Sequence, residues 1–229
     1  MLRPRRGYAV AGVVLLAGCA VPADGPGDEP APVAPVETVS AARATRLLAD
    51  LPRAPRTWRG PSYDRDAFGT PWSDVDGNGC NQRDDVLLRD AVADTVEVAP
   101  QGRCDHDVLA GTWDDPYTGR TLTFDDLKDP RQAQAIQIDH VVPLAEAWRS
   151  GAAEWSAERR HRYANDLPGL LAVDGPTNAA KSDDDPAAWR PRQAYQCTYA
   201  TRWISVKSSW SLSVDPSEAA ALEELLATC

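Results

Sequence analysis

Residues 138–144, Ile-Asp-His-Val-Val-Pro-Leu, set an acid and an imidazole side by side at the end of an apolar run. Residues 136–142 read as a strand ended by Pro143, since proline has no amide proton to give to a ladder. About forty residues further on comes a second strand-like run, Leu170-Leu171-Ala172-Val173. It is followed by the turn Asp174-Gly175-Pro176 and the segment Thr177-Asn178-Ala179-Ala180-Lys181-Ser182-Asp183, which reads as the start of a helix. The order strand, connection, strand, helix brings two strands and one helix together around Asp139, His140 and Asn178. One geometric demand follows. Neighbours on a regular strand face opposite sides, so Asp139 and His140 serve one site only if the strand ends, bulges or twists there.

The residue types fit one chemistry. His140, an imidazole with an ordinary pKa near 6.5, can accept a proton from water at neutral pH. Asp139 and Asn178 offer a carboxylate and an amide oxygen to a hard cation such as Mg²⁺, which takes oxygen ligands and keeps waters. Lys181, one of three lysines, lies one turn from Asn178 and is expected to reach a phosphate; the helix start adds free N–H groups. A base, a cation and positive charge are what metal-assisted phosphodiester hydrolysis requires. His106 and His161 lack such neighbours and are expected to be structural or superficial. No H-e-x-x-H spacing exists, which excludes that class of metallopeptidase.

Taken together, D-H-V-V-P-L, N-D-L-P-G-L-L-A-V and N-A-A-K-S-D resemble the ββα-metal finger of HNH endonucleases, and above all secreted bacterial HNH nuclease-like proteins; the HNH domain of CRISPR effector nucleases carries a similar pattern. The similarity extends upstream to W-x-D-x-D-G-N-G-C-N-Q-R-D-D-V-L and W-D-D-P-Y-T-G, and so covers roughly residues 60 to 229. It implies a ββα-metal finger core; the patterns along the chain add an α+β fold around it, a mostly helical domain with a hairpin and two disulfides. By the same resemblance His140 is the general base, Asp139 and Asn178 bind the metal, and Asn165 holds the loop or orients the imidazole. Asn178 stands where the family often has a final His. The implied cation is Mg²⁺ or Mn²⁺, with Ca²⁺ as the alternative. The implied substrate is nucleic acid, DNA ahead of RNA, cut to leave 5′-phosphate and 3′-hydroxyl ends.

The N-terminus implies export. Arg3, Arg5 and Arg6 precede the apolar run Tyr8 to Leu16, which is too short to span a bilayer and reads as a signal-peptide core. Leu16-Ala17-Gly18-Cys19 resembles the lipobox of bacterial lipoproteins, in which the Cys becomes the lipidated first residue; an ordinary cleaved signal or an uncleaved anchor is the alternative. Residues 1–19 are therefore assigned to a lipoprotein signal peptide and 20–39 to a Pro/Ala-rich tether that lacks apolar periodicity. Residues 40–229 form the folded domain. Apolar residues at 43% and charged residues at 25% match globular averages. The expected location is the outer or periplasmic side of the cell membrane, held there only by the lipid, and no protein partner is indicated.

Cys80, Cys104, Cys197 and Cys229 remain, an even number in an exported chain, and three pairings are open to them. Cys80–Cys104 and Cys197–Cys229 are favoured, because each closes a local loop. A zinc site competes poorly without a C-x-x-C spacing. Beside Cys80, Asp74, Asp76 and Asn78 occupy positions one, three and five of a calcium-loop pattern, with Gly79 at six and Asp85 at twelve where Glu is usual. No apolar helix precedes that loop, and the other reading is an Asx-rich turn locked by Cys80. A non-catalytic lipoprotein binding calcium or envelope polymers through this loop is the rival to an enzyme.

The formal charge of −10, about −13 once the leader's arginines are lost, is unhelpful for a phosphate binder. Any basic surface must be local. Arg83 and Arg149 are the candidate substrate contacts, Arg149 opening a cluster with Arg159, Arg160, His161 and Arg162 that is continued by Arg190, Arg192 and Arg202; the alternative is a solvated face paired with Glu154 and Glu158. Helices are further expected over 40–51, 144–150, 156–164, 187–209 and 216–227, and a hairpin over 107–124 with its turn at Asp115-Pro116-Tyr117-Thr118-Gly119.

Overall fold

The computed structural model describes residues 39–55 and 60–229; the leader, Cys19 and the tether up to residue 38 lie outside the described residues. Among the described residues no helix is long and apolar enough to cross a membrane. The fold is α+β. Helix α1 (Ala41–Asp50) starts where the Ser40 side chain accepts from the Arg43 amide, and buries Ala44 and Leu48. Asn81 caps α2 (Gln82–Asp90) in the same way. Strands β1 (Glu97–Gln101), β2 (Cys104–Asp114) and β3 (Thr121–Phe124) then form an antiparallel sheet in sequence order, β2–β3 being the expected hairpin.

The short helix α3 (Pro130–Ala135), with proline in its first turn, leads into β4 (Ile136–His140). Helices α4 (Leu144–Arg149) and α5 (Ala157–Ala164) form an excursion before β5 (Leu170–Asp174) returns to pair antiparallel with β4, from Ile136↔Asp174 to His140↔Leu170. Helix α6 (Gly175–Lys181) follows at once: the Asp174 carboxylate accepts from the Thr177 amide, and Pro176 fits the first turn. A Cβ on Gly175 would lie 2.3 Å from the carbonyl oxygen of Gln134, so this close approach of α6 to the end of α3 requires glycine.

Helices α7 (Gln196–Trp210) and α8 (Pro216–Leu226) close the domain, α8 opening with a capping box between Asp215 and Glu218. The helix expected from 187 begins only at Gln196. Pro191 has no amide proton and disfavours helical geometry at Arg190, so that stretch folds as turns and a 3₁₀ turn over Gln193–Tyr195.

Two apolar cores flank the β4–β5 pair, and strand alternation assigns side chains to each. Ile136, Ile138, Leu170 and Ala172 pack with Val86, Leu87, Val108 and Trp113 of α2 and β2. Leu171 and Val173 pack with the helical core, where Tyr117, Tyr199, Trp203, Ile204 and Leu222 are buried. Burial of each large side chain there contributes about 1.5–3 kcal/mol. Both disulfides form with the favoured pairing. Cys80–Cys104 ties the loop before α2 to the start of β2, and Cys197–Cys229 ties the first turn of α7 to the C-terminus; loop lengths of this order correspond to about 3.5 kcal/mol each in the chain-entropy treatment.

Candidate active site

The last two residues of β4, together with α6, line a cavity of about 520 Å³ that also takes in Tyr63, Arg65, Gln137 and Asp183. Strand β4 keeps its ladder through His140, the Val141 amide still reaches the Gly169 carbonyl at 2.9 Å, and the strand stops two residues earlier than its apolar pattern suggests. Asp139 and His140 thus keep the divergence of a regular strand, each with its own partners, and share the cavity because it wraps the strand's end.

On one side, the buried Asp139 carboxylate accepts from the Tyr117 hydroxyl at 2.5 Å through Oδ2 and from Lys181 Nζ at 3.0 Å (Oδ1) and 2.9 Å (Oδ2). Burial, then the neighbouring carboxylate, raises Tyr117 well above the ordinary tyrosine range, so its hydroxyl remains a donor. The hairpin turn places that tyrosine. Asp115 accepts from the Tyr117, Thr118 and Asp174 amides, joining the turn to the start of α6, while the Tyr117 ring packs edge-on to Trp189 and Tyr199.

On the other side, His140 Nε2 lies 2.8 Å from the carbonyl of Ala164. A carbonyl only accepts, so Nε2 carries the proton and Nδ1 of the neutral ring holds the lone pair. Burial lowers the His140 pKa to about 4, outweighing the opposite pull of Ala164 and Asp139, so the ring is neutral at pH 7. Trp72 stacks on the imidazole with centroids 5.8 Å apart and planes at 18°, and it holds φ = 55°, in the left-handed region that bulky residues avoid. Its neighbour Ser73 fixes it there: the Ser73 amide donates to Asn165 Oδ1 at 2.9 Å, and the Ser73 hydroxyl lies 2.9 Å from His161 Nε2. Asn165 is fully buried, and its amide also donates to the His161 carbonyl. It therefore positions the Trp72–Ser73 segment and the adjacent Ala164 carbonyl without a hydrogen bond of its own to the His140 ring. His161 is structural, as expected.

Asn178 lines the cavity with its amide donating to Gln137 Oε1 at 2.9 Å, which leaves Oδ1 as an oxygen donor on the same wall as Asp139. A carboxylate offers about four lone-pair sites. Three are engaged on Asp139 by Tyr117 and Lys181, so one remains toward a cation. One carboxylate and one amide oxygen suit a hydrated Mg²⁺ or Mn²⁺, which takes few protein ligands. Lys181 offsets the carboxylate charge and would weaken a cation's hold there.

Three expected substrate contacts have partners within the fold. Lys181 is wholly buried, bonded to Asp139 and to the His140 carbonyl at 3.0 Å, so it braces the strand end from behind instead of meeting a phosphate. Arg83 donates to the Ala133 and Ile136 carbonyls and clamps the join of α3 and β4. Arg149 pairs with Asp183 at 2.6 Å and with Glu146, and lines a neighbouring acidic cavity of about 300 Å³.

In the 74–85 loop the side chains of both readings, calcium loop and Asx-rich turn, fold back onto the loop's own amides. Asp74 accepts from the Gly77 and Gly79 amides, Asp76 from Asn78, and Asn78 from Cys80. Asp85 turns inward to Asn78 Nδ2 at 2.9 Å and His106 Nε2 at 2.8 Å. Burial lowers the His106 pKa, but the Asp85 and Asp105 carboxylates outweigh it and leave the ring above the ordinary value.

Sequence reasoning overlooked Tyr117, Trp72 and Arg65. Tyr117 and Trp72 do sit in W-D-D-P-Y-T-G and W-x-D-x-D-G, strings in which neither ring had a role at the site; for Arg65 the sequence carries no signal.

Residues 82–225 match the family of GmrSD restriction endonucleases, C-terminal domain. A relative from Arthroderma benhamiae, named only as an uncharacterized secreted protein, is 42% identical over 206 residues, spanning 87% of this chain and 92% of its own length. No solved structure matches the chain. The matched region runs from α2 into α8 and contains the whole β4–β5–α6 unit with Asp139, His140 and Asn178. The chain belongs to the family of GmrSD restriction endonuclease C-terminal domains.

Proposed function

We propose that this protein is an exported HNH-type endonuclease that hydrolyses phosphodiester bonds in nucleic acid, with His140 as general base. The observation that carries the reading is the His140 tautomer: the Ala164 carbonyl holds the proton on Nε2 and leaves Nδ1 as the acceptor, on a residue that lines a cavity together with Asp139 and Asn178. His140 Nδ1 takes a proton from a water as that water attacks phosphorus. Trp72 and the Ala164 carbonyl fix the ring for that transfer. Asp139 and Asn178 would hold a divalent cation, Mg²⁺ or Mn²⁺, which when bound would supply Lewis-acid stabilisation of the departing 3′-oxygen. Tyr117 and Lys181 hold the Asp139 carboxylate in place. DNA stands ahead of RNA as substrate.

Two disulfides suit an oxidising compartment, the relative is secreted, and the leader reads as an export signal. We place the protein outside the cytoplasm, anchored through lipidated Cys19. The test is incubation of the full chain with supercoiled plasmid, single-stranded DNA and RNA in Mg²⁺ or Mn²⁺, with EDTA as control. Cleavage that EDTA abolishes, leaving 5′-phosphate ends, is the expected result. No cleavage under any divalent ion contradicts the enzyme and favours a binding module.

A further inference from the structure

The cavity's charges do not follow the molecule's. Two carboxylates line it, and each is matched from behind by a base: Asp139 by Lys181, and Asp183 by Arg149 at 2.6 Å. Arg65 is the remaining charged lining side chain among the described residues, is solvent-exposed, and forms no ion pair with a described carboxylate. It also lines the adjoining pocket with Asp66, Trp72 and His140, which places it next to the proposed base. Two residues before it, Tyr63 stands 39% exposed on the same rim. Its ring is fixed by an edge contact with Trp148, centroids 6.1 Å apart at 79°, and by Phe68 at 6.4 Å. A fixed, half-open aromatic ring beside an exposed guanidinium is the pairing by which proteins hold one base and its phosphate.

We infer that Arg65 binds the phosphate and Tyr63 the neighbouring base of a single-stranded nucleic acid at the mouth of this cavity. The inference rests on the nuclease reading and names the substrate form. A duplex keeps its bases stacked on one another, so Tyr63 meets a base face only on an unpaired strand. Duplex binding also draws on several cations along the backbone, and this cavity presents one.

Binding of a fluorescent single-stranded oligonucleotide and of its duplex to the full chain is read by anisotropy in EDTA, so that cleavage plays no part. Arg65→Ala is expected to weaken single-strand binding about tenfold and to flatten the plot of log affinity against log salt by about 0.7. Tyr63→Leu is expected to weaken single-strand binding about tenfold and duplex binding less than twofold, whereas Tyr63→Phe, which keeps the ring, binds as wild type. Arg65→Lys keeps the charge and the salt slope, which separates a phosphate contact from a loss of folding. Unchanged single-strand affinity in Arg65→Ala and Tyr63→Leu, or equal losses on both substrates in Tyr63→Leu, overturns the inference. Because the readout is binding, wild-type cleavage with unchanged affinities in the variants defeats this inference alone. Absence of cleavage with the expected affinity losses defeats the nuclease reading alone.

Discussion

Lys181 has no exposed surface, and its ammonium lies within 3.0 Å of both Asp139 oxygens. Removing it leaves a buried carboxylate without countercharge, so Lys181→Met is expected to cost about 3–5 kcal/mol in a urea titration. Asp139→Asn combined with Lys181→Met is expected to cost less than the two single losses added, because the members of the pair are in contact. At His140 the expectation is a pH effect. The ring titrates at about 4 in the folded chain and near 6.5 unfolded. Between those values the unfolded chain holds the extra proton, so this group's contribution to stability declines as pH falls from about 6.5 to about 4. Comparing melting temperatures across that window in wild type and His140→Gln isolates it. At this scale Asp139, His140 and Asn178 were legible because strand, turn and helix signals bracket them. The burial of Lys181 was not legible, because one-turn spacing fixes a face of a helix and not what packs over it. Arg65, Trp72 and Tyr117 come from segments far away in sequence, joined to the site only by tertiary folding.

One carboxylate joins β5 to α6. Asp174 ends β5, caps α6 through the Thr177 amide and hydroxyl, and accepts from Arg120 Nη2 at 2.7 Å. Asp174→Ala is expected to destabilise the protein by about 1–2 kcal/mol and to lower cleavage more than stability, since Asn178 sits in the helix that loses its cap; thermal melts and rate measurements on one preparation compare the two. Elements announced by a cap or a proline, such as α1, α8 and the 115–119 turn, were readable within a residue or two. The short α2 and α3, although Asn81 and Pro130 open them, and the exposed strand β1 were not, because their side chains carry no clean periodicity and their place is set by what they pack on. Pro191 explains the overlong helix expected from 187.

Across the whole molecule the two disulfides brace opposite ends of the matched region, one before α2 and the other between α7 and the C-terminus. Reduction is expected to lower the melting temperature, and Cys197→Ser with Cys229→Ser to cost about 3–4 kcal/mol in the chain-entropy treatment. The net charge of −10 spread over the chain coexists with a cavity whose carboxylates are paired off, so overall charge, visible in composition, misrepresents the local field that a phosphate would meet. The fold class and both cysteine pairs were legible in advance; the cavity was not, because it forms from the 60–72 segment, the end of β4 and α6 together. The most direct measurement is the Mg²⁺-dependent cleavage rate of His140→Ala beside wild type, with circular dichroism to establish that both are folded. A fall of at least about 10²-fold in a folded variant is predicted, and a rate close to wild type contradicts His140 as the base.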